Sequence, residues 1–286
     1  MLSLALLATA SFAAATTPEA ATAWPDQYVV ANNIRIHYWR TNTPGKPVMI
    51  LAHGSSDDGM CWTNFAREFA QDYDIIMYDA RGHGRSDPPR QGDQVDAQVE
   101  DLAGLIKALN IQKPIVMGHS MGASMAIWFG AKYPGVAKAI VLEDPGLVPN
   151  PNMAATMNAD PAKRMATILE GNNKTVEQQI EWCTKNTKWG LSECNMWAPS
   201  KRYHHPNTAI RLTGTRPATA ELLPKIQDPV LILKADAKDD VKQQNEKIAA
   251  LIPRGKIVHI TGAGHNVRRE NKQMTVDELR AFLKAL

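Results

Sequence analysis

The stretch Pro114-Ile115-Val116-Met117-Gly118-His119-Ser120-Met121-Gly122-Ala123 constrains this chain more than any other. Ile115 to Met117 are apolar and partly β-branched, the composition of a strand buried on both faces. Gly118 to Gly122 then fits G-x-S-x-G, a turn in which the serine is held in a strained backbone and its Oγ is pushed out past the carboxyl end of the strand. A side chain at either glycine would collide with the strand or helix that so tight a turn brings close. The run Ala123 to Tyr133 reads as a helix, and Pro134-Gly135 stops it. Strand, sharp turn and helix in that order make Ser120 the candidate nucleophile.

The rest of the chain supplies more strands of the same kind. Tyr28 to Ala31 and Ile34 to Trp39 flank Asn32-Asn33, a pair that tolerates positive φ, and read as a hairpin. Val48 to Ala52 is a continuous apolar strand that ends at His53-Gly54-Ser55-Ser56. A helical pattern covers Trp62 to Gln71. Ile75 to Tyr78 is a strand ending in Asp79-Ala80-Arg81-Gly82-His83-Gly84-Arg85-Ser86. Val95 to Leu109 is an amphipathic helix with Val95, Val99, Leu102, Ile106 and Leu109 on one face. Ala139 to Leu142 ends at Glu143-Asp144-Pro145-Gly146. Alternating strands and helices predict a parallel sheet with crossover helices, an α/β fold. From about Leu147 to Leu223 that alternation stops, and the chain becomes polar with helix-like pieces. It resumes with Pro229 to Leu233, a helix near Val241 to Leu251, the strand Lys256 to Ile260 and a last helix ending near Leu283. The predicted organisation is a core over residues 24–146 and 225–286, with a mainly helical cap over 147–224 inserted between the sixth and seventh core strands.

Met1 to Ala23 holds no Lys or Arg, an apolar segment from Leu2 to Ala8, and A-x-A sequences at Ala13-Ala14-Ala15 and Ala21-Thr22-Ala23. This reads as a secretory signal without the usual basic start, against the alternative of an Ala/Thr tail. The apolar run is too short to span a bilayer. Export would place the protein in the periplasm or outside the cell, and would let Cys183 and Cys194, which share one polar segment, form a disulfide that leaves Cys61 free. Asn173-Lys174-Thr175 is a formal glycosylation sequon. A net charge of +3 with interspersed signs gives no basic run of the kind that binds nucleic acid or anionic membranes.

Four motifs in this order carry a resemblance: His53-Gly54 after a strand, Asp79-x-Arg81-Gly82-x-Gly84-x-Ser86, Gly118-His119-Ser120-Met121-Gly122, and Gly262-Ala263-Gly264-His265 after the last strand. Over roughly residues 27 to 286 the chain resembles the α/β-hydrolase fold superfamily. The resemblance implies a mostly parallel twisted sheet flanked by helices. It leaves the substrate open, because the superfamily hosts many reactions.

The resemblance also implies a chain order of nucleophile, acid and histidine. A serine hydroxyl needs a base within hydrogen-bond reach, and that base needs an orienting acid. His265 is the candidate base, since it stands in a glycine-rich loop able to bend toward Ser120. His259 lies in a strand, and His204-His205 lie in the cap. The oxyanion of a tetrahedral intermediate needs two N–H donors. These fall by position on Met121 and on Ser55, with Ser56 as the alternative. His119 reads as structural, and Arg81, Gly82 and Gly84 as shaping a turn by the site.

The acid has two candidate places. Asp144 ends the strand before the cap, and Pro145 fixes the backbone after it. Asp236 follows the next strand, in a turn that lacks the family's usual glycine and has Lys238 at the usual acid offset. Asp144 is the preferred residue. Glu143 is its neighbour, and only one of the two faces the site. The cap's Trp182, Trp189 and Met153, with its other tryptophans and methionines, either wall an apolar substrate or pack a small cap core.

These readings imply a serine hydrolase acting on a carboxylic ester or lactone of a small, largely apolar molecule, with no metal, no organic cofactor, no nucleic-acid partner and no membrane span. Carbon–carbon bond hydrolysis and perhydrolysis use the same three groups. Haloalkane dehalogenases and epoxide hydrolases resemble the fold but carry Asp where Ser120 stands. A hydrolase-like ligand-binding protein is the rival of a different class.

Overall fold

The computed structural model describes residues 24–148 and 160–286. Strands β1 (Asp26–Ala31) and β2 (Ile34–Arg40) form an antiparallel hairpin. Asn32 and Asn33 turn it with φ of 46° and 60°, the left-handed region that Asn enters more readily than most residues. The other strands are β3 (Val48–Ala52), β4 (Asp74–Tyr78), β5 (Ile115–His119), β6 (Ala139–Glu143), β7 (Val230–Ala235) and β8 (Gly255–Ile260). All eight join one sheet in the order β1-β2-β4-β3-β5-β6-β7-β8. The hairpin meets β4 antiparallel, and every pairing from β4 to β8 is parallel.

Strands β3 to β6 are apolar apart from Asp74, His119 and Glu143 at their ends, because both sheet faces are covered. Alternate residues point to opposite faces. Ile50, Val116, Ile140 and Ile232 pack on one side with Leu102, Ala126 and Phe129. Met49, Leu51, Met117, Val141 and Leu231 pack on the other with Phe65, Phe69 and Leu279. The first side is covered by α1 (Ala97–Ala108) and α2 (Met121–Lys132).

Between β6 and β7 lie α3 (Pro161–Asn172), α4 (Val176–Asn186) and α5 (Leu191–Ser200). Asp160 caps α3 by accepting from Ala162 N–H, and Thr175 with Gln178 forms a capping box on α4, so each helix start has an orphan donor met locally. A disulfide between Cys183 and Cys194 ties α4 to α5. After β7 come α6 (Asp239–Ala249) and α7 (Lys272–Lys284). Among the described residues, no helix is long and apolar enough to cross a membrane.

The helix expected over Trp62 to Gln71 is not continuous. Gly59–Trp62 is a 3₁₀ turn and Thr63–Ala66 a single α turn. Beyond it the chain closes i→i+3 bonds, from Glu68 N to Phe65 O and from Phe69 N to Ala66 O. Phe65 and Phe69 are buried four residues apart, which imitates a helical period although the backbone is a series of turns.

Candidate active site

Three loops at the carboxyl ends of β5, β6 and β8 meet at one point. Ser120 has φ 51° and ψ −106°, a conformation that costs about 1–3 kcal/mol for a residue with a side chain. The packing around it leaves no alternative. A Cβ on Gly118 would lie 2.3 Å from Gly122 O, and a Cβ on Gly122 would lie 2.3 Å from Ala52 O. The elbow is therefore wedged against the end of β3, and Ser120 is lifted out of the sheet.

Ser120 Oγ lies 2.9 Å from His265 Nε2, and His265 Nδ1 lies 2.6 Å from Asp144 Oδ2. An ionised carboxylate only accepts, so Nδ1 carries the proton and Nε2 is left to accept from the serine hydroxyl. Asp144 also sits at positive φ, 42°. Its Oδ1 accepts from Lys234 Nζ and from Ala235 N–H. Burial alone would raise the Asp144 carboxyl, but the His265 hydrogen bond and the Lys234 charge outweigh it and bring it down to about 2. The acid stays ionised across the neutral range.

Asp236 is occupied elsewhere. Its carboxylate accepts from the N–H groups of Gly262 and Ala237 and pairs with Lys242. Glu143, adjacent to Asp144, points away and is fully buried against Arg268, with Arg268 Nη1 2.7 Å from Oε2. The two acidic neighbours thus separate to opposite sides.

His119 is buried beside the serine. Its Nε2–H donates to His265 O at 3.0 Å, which anchors the histidine loop from below. Burial pushes the His119 imidazole down to about 4, so it is neutral in this role. Neither this bond nor Lys234 was legible in the sequence; the only signal was their closeness in the chain to Ser120 and Asp236.

The loop after β3 lies against the elbow. A Cβ on Gly54 would stand 2.6 Å from His119 Nδ1 and 3.5 Å from Ser120 Cβ. His53 stabilises this loop: its Nε2 accepts from Ala80 N–H at 2.9 Å, and its Nδ1–H donates to Gly54 O at 2.8 Å. The loop after β4 folds around Asp79, which accepts from the N–H groups of Gly59 and Arg85 and from His37. Arg81 is turned away, bidentate on Asp101. Gly54 therefore packs against the serine, and Ser55 follows it on a braced turn. Met121 opens α2, where the first N–H groups of a helix have no intrahelical partner.

Trp182 and Trp189 pack elsewhere. Trp182 stacks on Trp197 with centroids 5.6 Å apart, and Trp189 meets the same ring edge-on and carries Arg269 on its face. Trp189 packs against the cluster of Cys61, Cys183, Cys194, Trp197 and Ala198, the cap-core packing weighed against a substrate wall, whereas Trp182 lies at its edge, half exposed. Among the described residues, no ring contact, hydrogen bond or ion pair links either tryptophan to Ser120 or His265. Met153 lies outside the described residues, as does the stretch 1–23. Among the described residues, no group of three or more His, Cys, Asp or Glu side chains is arranged to hold a metal ion.

An eight-stranded, mostly parallel sheet with a serine elbow after β5 and a histidine loop after β8 defines the α/β-hydrolase architecture. The profile of the alpha/beta hydrolase family matches residues 49–278, and the chain belongs to that family. It is similar to "Epoxide hydrolase 1" of Caenorhabditis elegans, 23% identical over 93% of this chain and 72% of that protein. It is also similar to "2-(acetamidomethylene)succinate hydrolase" of Mesorhizobium japonicum, 25% identical over 84% of this chain and 88% of that one. A solved esterase from Thermogutta terrifontis superposes with a TM-score of 0.68 at 24% identity, over 91% of this chain and 98% of that chain.

Proposed function

We propose that this protein is a serine hydrolase that cleaves a carboxylic ester or lactone of a small, largely apolar molecule through an acyl-enzyme. The observation that carries the reading is the continuous hydrogen-bonded line from Ser120 Oγ through His265 to Asp144. His265 takes the serine proton as Oγ attacks the carbonyl carbon, and Asp144 stabilises the imidazolium that results. The Met121 and Ser55 N–H groups stabilise the oxyanion. The tetrahedral intermediate expels the alcohol, protonated by His265. Water, deprotonated by the same histidine, then attacks the acyl-serine and releases the acid.

A serine at this position separates the reading from epoxide opening, although relatives bear that name. Attack of Oγ on an epoxide carbon would leave an ether, which has no carbonyl for water to attack. Esters and lactones leave an acyl-serine that does. Carbon–carbon bond hydrolysis and perhydrolysis pass through the same three groups, and a panel of diketones and of peroxide acceptors, run beside esters and lactones, distinguishes them.

The test is Ser120→Ala together with a fluorophosphonate probe. Wild type should be labelled at Ser120, and the variant should fold, stay unlabelled and lose turnover by several orders of magnitude. Labelling at another residue, or an active Ser120→Ala protein, returns the chain to the ligand-binding reading.

The Cys183–Cys194 bridge supports export, because disulfides persist in oxidising compartments. Amino-terminal sequencing of protein from the native host should begin near Thr16 or Trp24; an intact Met1 refutes export.

A further inference from the structure

The turn that carries Ser55 is held from outside the core. Asp57 N–H closes it on Gly54 O at 3.2 Å. Ser56 occupies its third position with φ 62°, where glycine is the usual residue because a Cβ is disfavoured. Such a conformation persists only when its surroundings impose it. The residue that imposes it is Lys201, immediately after α5. Its Nζ donates to Ser56 O at 2.6 Å, to Ser56 Oγ at 3.0 Å and to Asp57 Oδ1 at 2.7 Å. An ammonium has three N–H donors, and all three are used on two consecutive residues of this turn. Ser200 Oγ adds a contact to Ser56 O at 3.3 Å, and the Trp197 ring lies under the lysine at 4.6 Å.

Asp57 is shared. Its Oδ2 accepts from Arg269 at 2.9 Å, and Arg269 stands four residues after His265. Both charges are buried, with side-chain exposures of 9% for Lys201 and 6% for Asp57, so the pair is scarcely screened by solvent. The inserted helices, the turn beside the nucleophile and the segment after the histidine thus converge on one carboxylate.

We propose that Lys201 is a positioning residue for the oxyanion hole, fixing the Gly54–Asp57 turn so that the Ser55 N–H faces the oxygen bound over Ser120. The proposal rests on the serine-hydrolase reading above. It makes the hole complete only while the inserted helices are docked on the core.

The experiment compares wild type, Lys201→Met, and Lys201→Met combined with Ser56→Gly, using p-nitrophenyl acetate turnover, fluorophosphonate labelling and thermal unfolding. Lys201→Met should lower kcat by on the order of 10- to 100-fold with KM within about threefold, since a displacement of about 1 Å in a catalytic group has this scale of effect. Adding Ser56→Gly should restore most of the lost kcat, because glycine adopts the same φ without support, while the unfolding midpoint remains at the Lys201→Met value. If Lys201→Met does not fold, Lys201→Arg keeps the charge on Asp57 and should show the same loss of kcat and the same recovery. An unimpaired lysine variant, or a loss that Ser56→Gly does not recover, overturns the proposal alone. A wild type that neither turns over the ester nor takes the phosphonate overturns it together with the serine-hydrolase reading.

Discussion

Asp144 Oδ2 lies 2.6 Å from His265 Nδ1, whereas the carboxylate of Asp236 is committed to the Gly262 and Ala237 N–H groups. The two aspartates follow neighbouring parallel strands, yet only one reaches the histidine. Asp144→Asn should therefore lower turnover by about 10⁴, the scale seen when a triad carboxylate becomes an amide. Asp236→Asn should stay within a few-fold of wild type. Steady-state kinetics of both variants on one ester decide the matter, and the reverse ranking would move the acid to the loop after β7.

The elbow should be intolerant of a single methyl group. A Cβ at Gly122 would lie 2.3 Å from Ala52 O and 2.8 Å from His53 O. Both obstacles are backbone of the strand end that leads to the Ser55 turn. Gly122→Ala should cost at least about 1–3 kcal/mol, as overpacking does, and should depress activity in whatever protein folds. Gly171→Ala is the control: it lies in α3 with nothing within 4 Å of the added atom, and should stabilise by up to about 1 kcal/mol. Urea titrations of the two variants give the comparison.

Acid sensitivity should begin well above the carboxylate range. Burial holds His119 down at about 4 in the folded state, against about 6.5 when unfolded. Between those values the unfolded chain binds a proton that the folded protein refuses, so stability falls as pH drops from about 6.5 to 4 and that contribution levels off below. Burial shifts His53, His83 and His204 in the same direction. Asp144, held down at about 2, adds a separate loss only below about pH 4. Urea unfolding midpoints from pH 7.5 to 4 should decline, and His119→Gln should remove roughly 3 kcal/mol of that decline. A variant with an unchanged slope would mean that His119 accepts a proton in the native state.

Cysteine accessibility should follow the cluster between the cap and the core. Cys61 is buried, its thiol pushed up by burial, and it packs in one cluster with the Cys183–Cys194 bridge. Iodoacetamide should modify no cysteine in the native protein, one after denaturation without reductant, and three after reduction. The bridge closes a short loop, for which chain entropy suggests about 3 kcal/mol of stabilisation. Replacing Cys183 and Cys194 by alanine should lower the unfolding free energy by that order. Native labelling of Cys61 would show that the inserted helices open over it.

Most of the fold was legible because its strands are short, continuously apolar runs ended by glycine, proline or aspartate. A parallel sheet buried on both faces leaves little room for any other pattern. The elbow at Gly118 to Gly122 was legible for the same local reason: its two glycines answer to steric contacts within a few residues and at one strand end. The Trp62–Gln71 helix failed because buried Phe65 and Phe69 produce a helical spacing that turns satisfy equally well.

By itself, then, the sequence determined the strands, the hairpin and the presence of a serine, a histidine and two aspartates at loops that a sheet would gather at one edge. Tertiary structure alone decided which groups touch. It sent Asp144 to His265 and Glu143 to Arg268, set His119 under the His265 carbonyl, and brought Lys201 across from the inserted helices to Ser56 and Asp57. The physical reason is separation along the chain. A strand or a tight turn is specified by neighbours whose sterics and burial are read residue by residue. A hydrogen bond between positions more than a hundred residues apart depends on strand order, register and loop course together, and no local pattern encodes those.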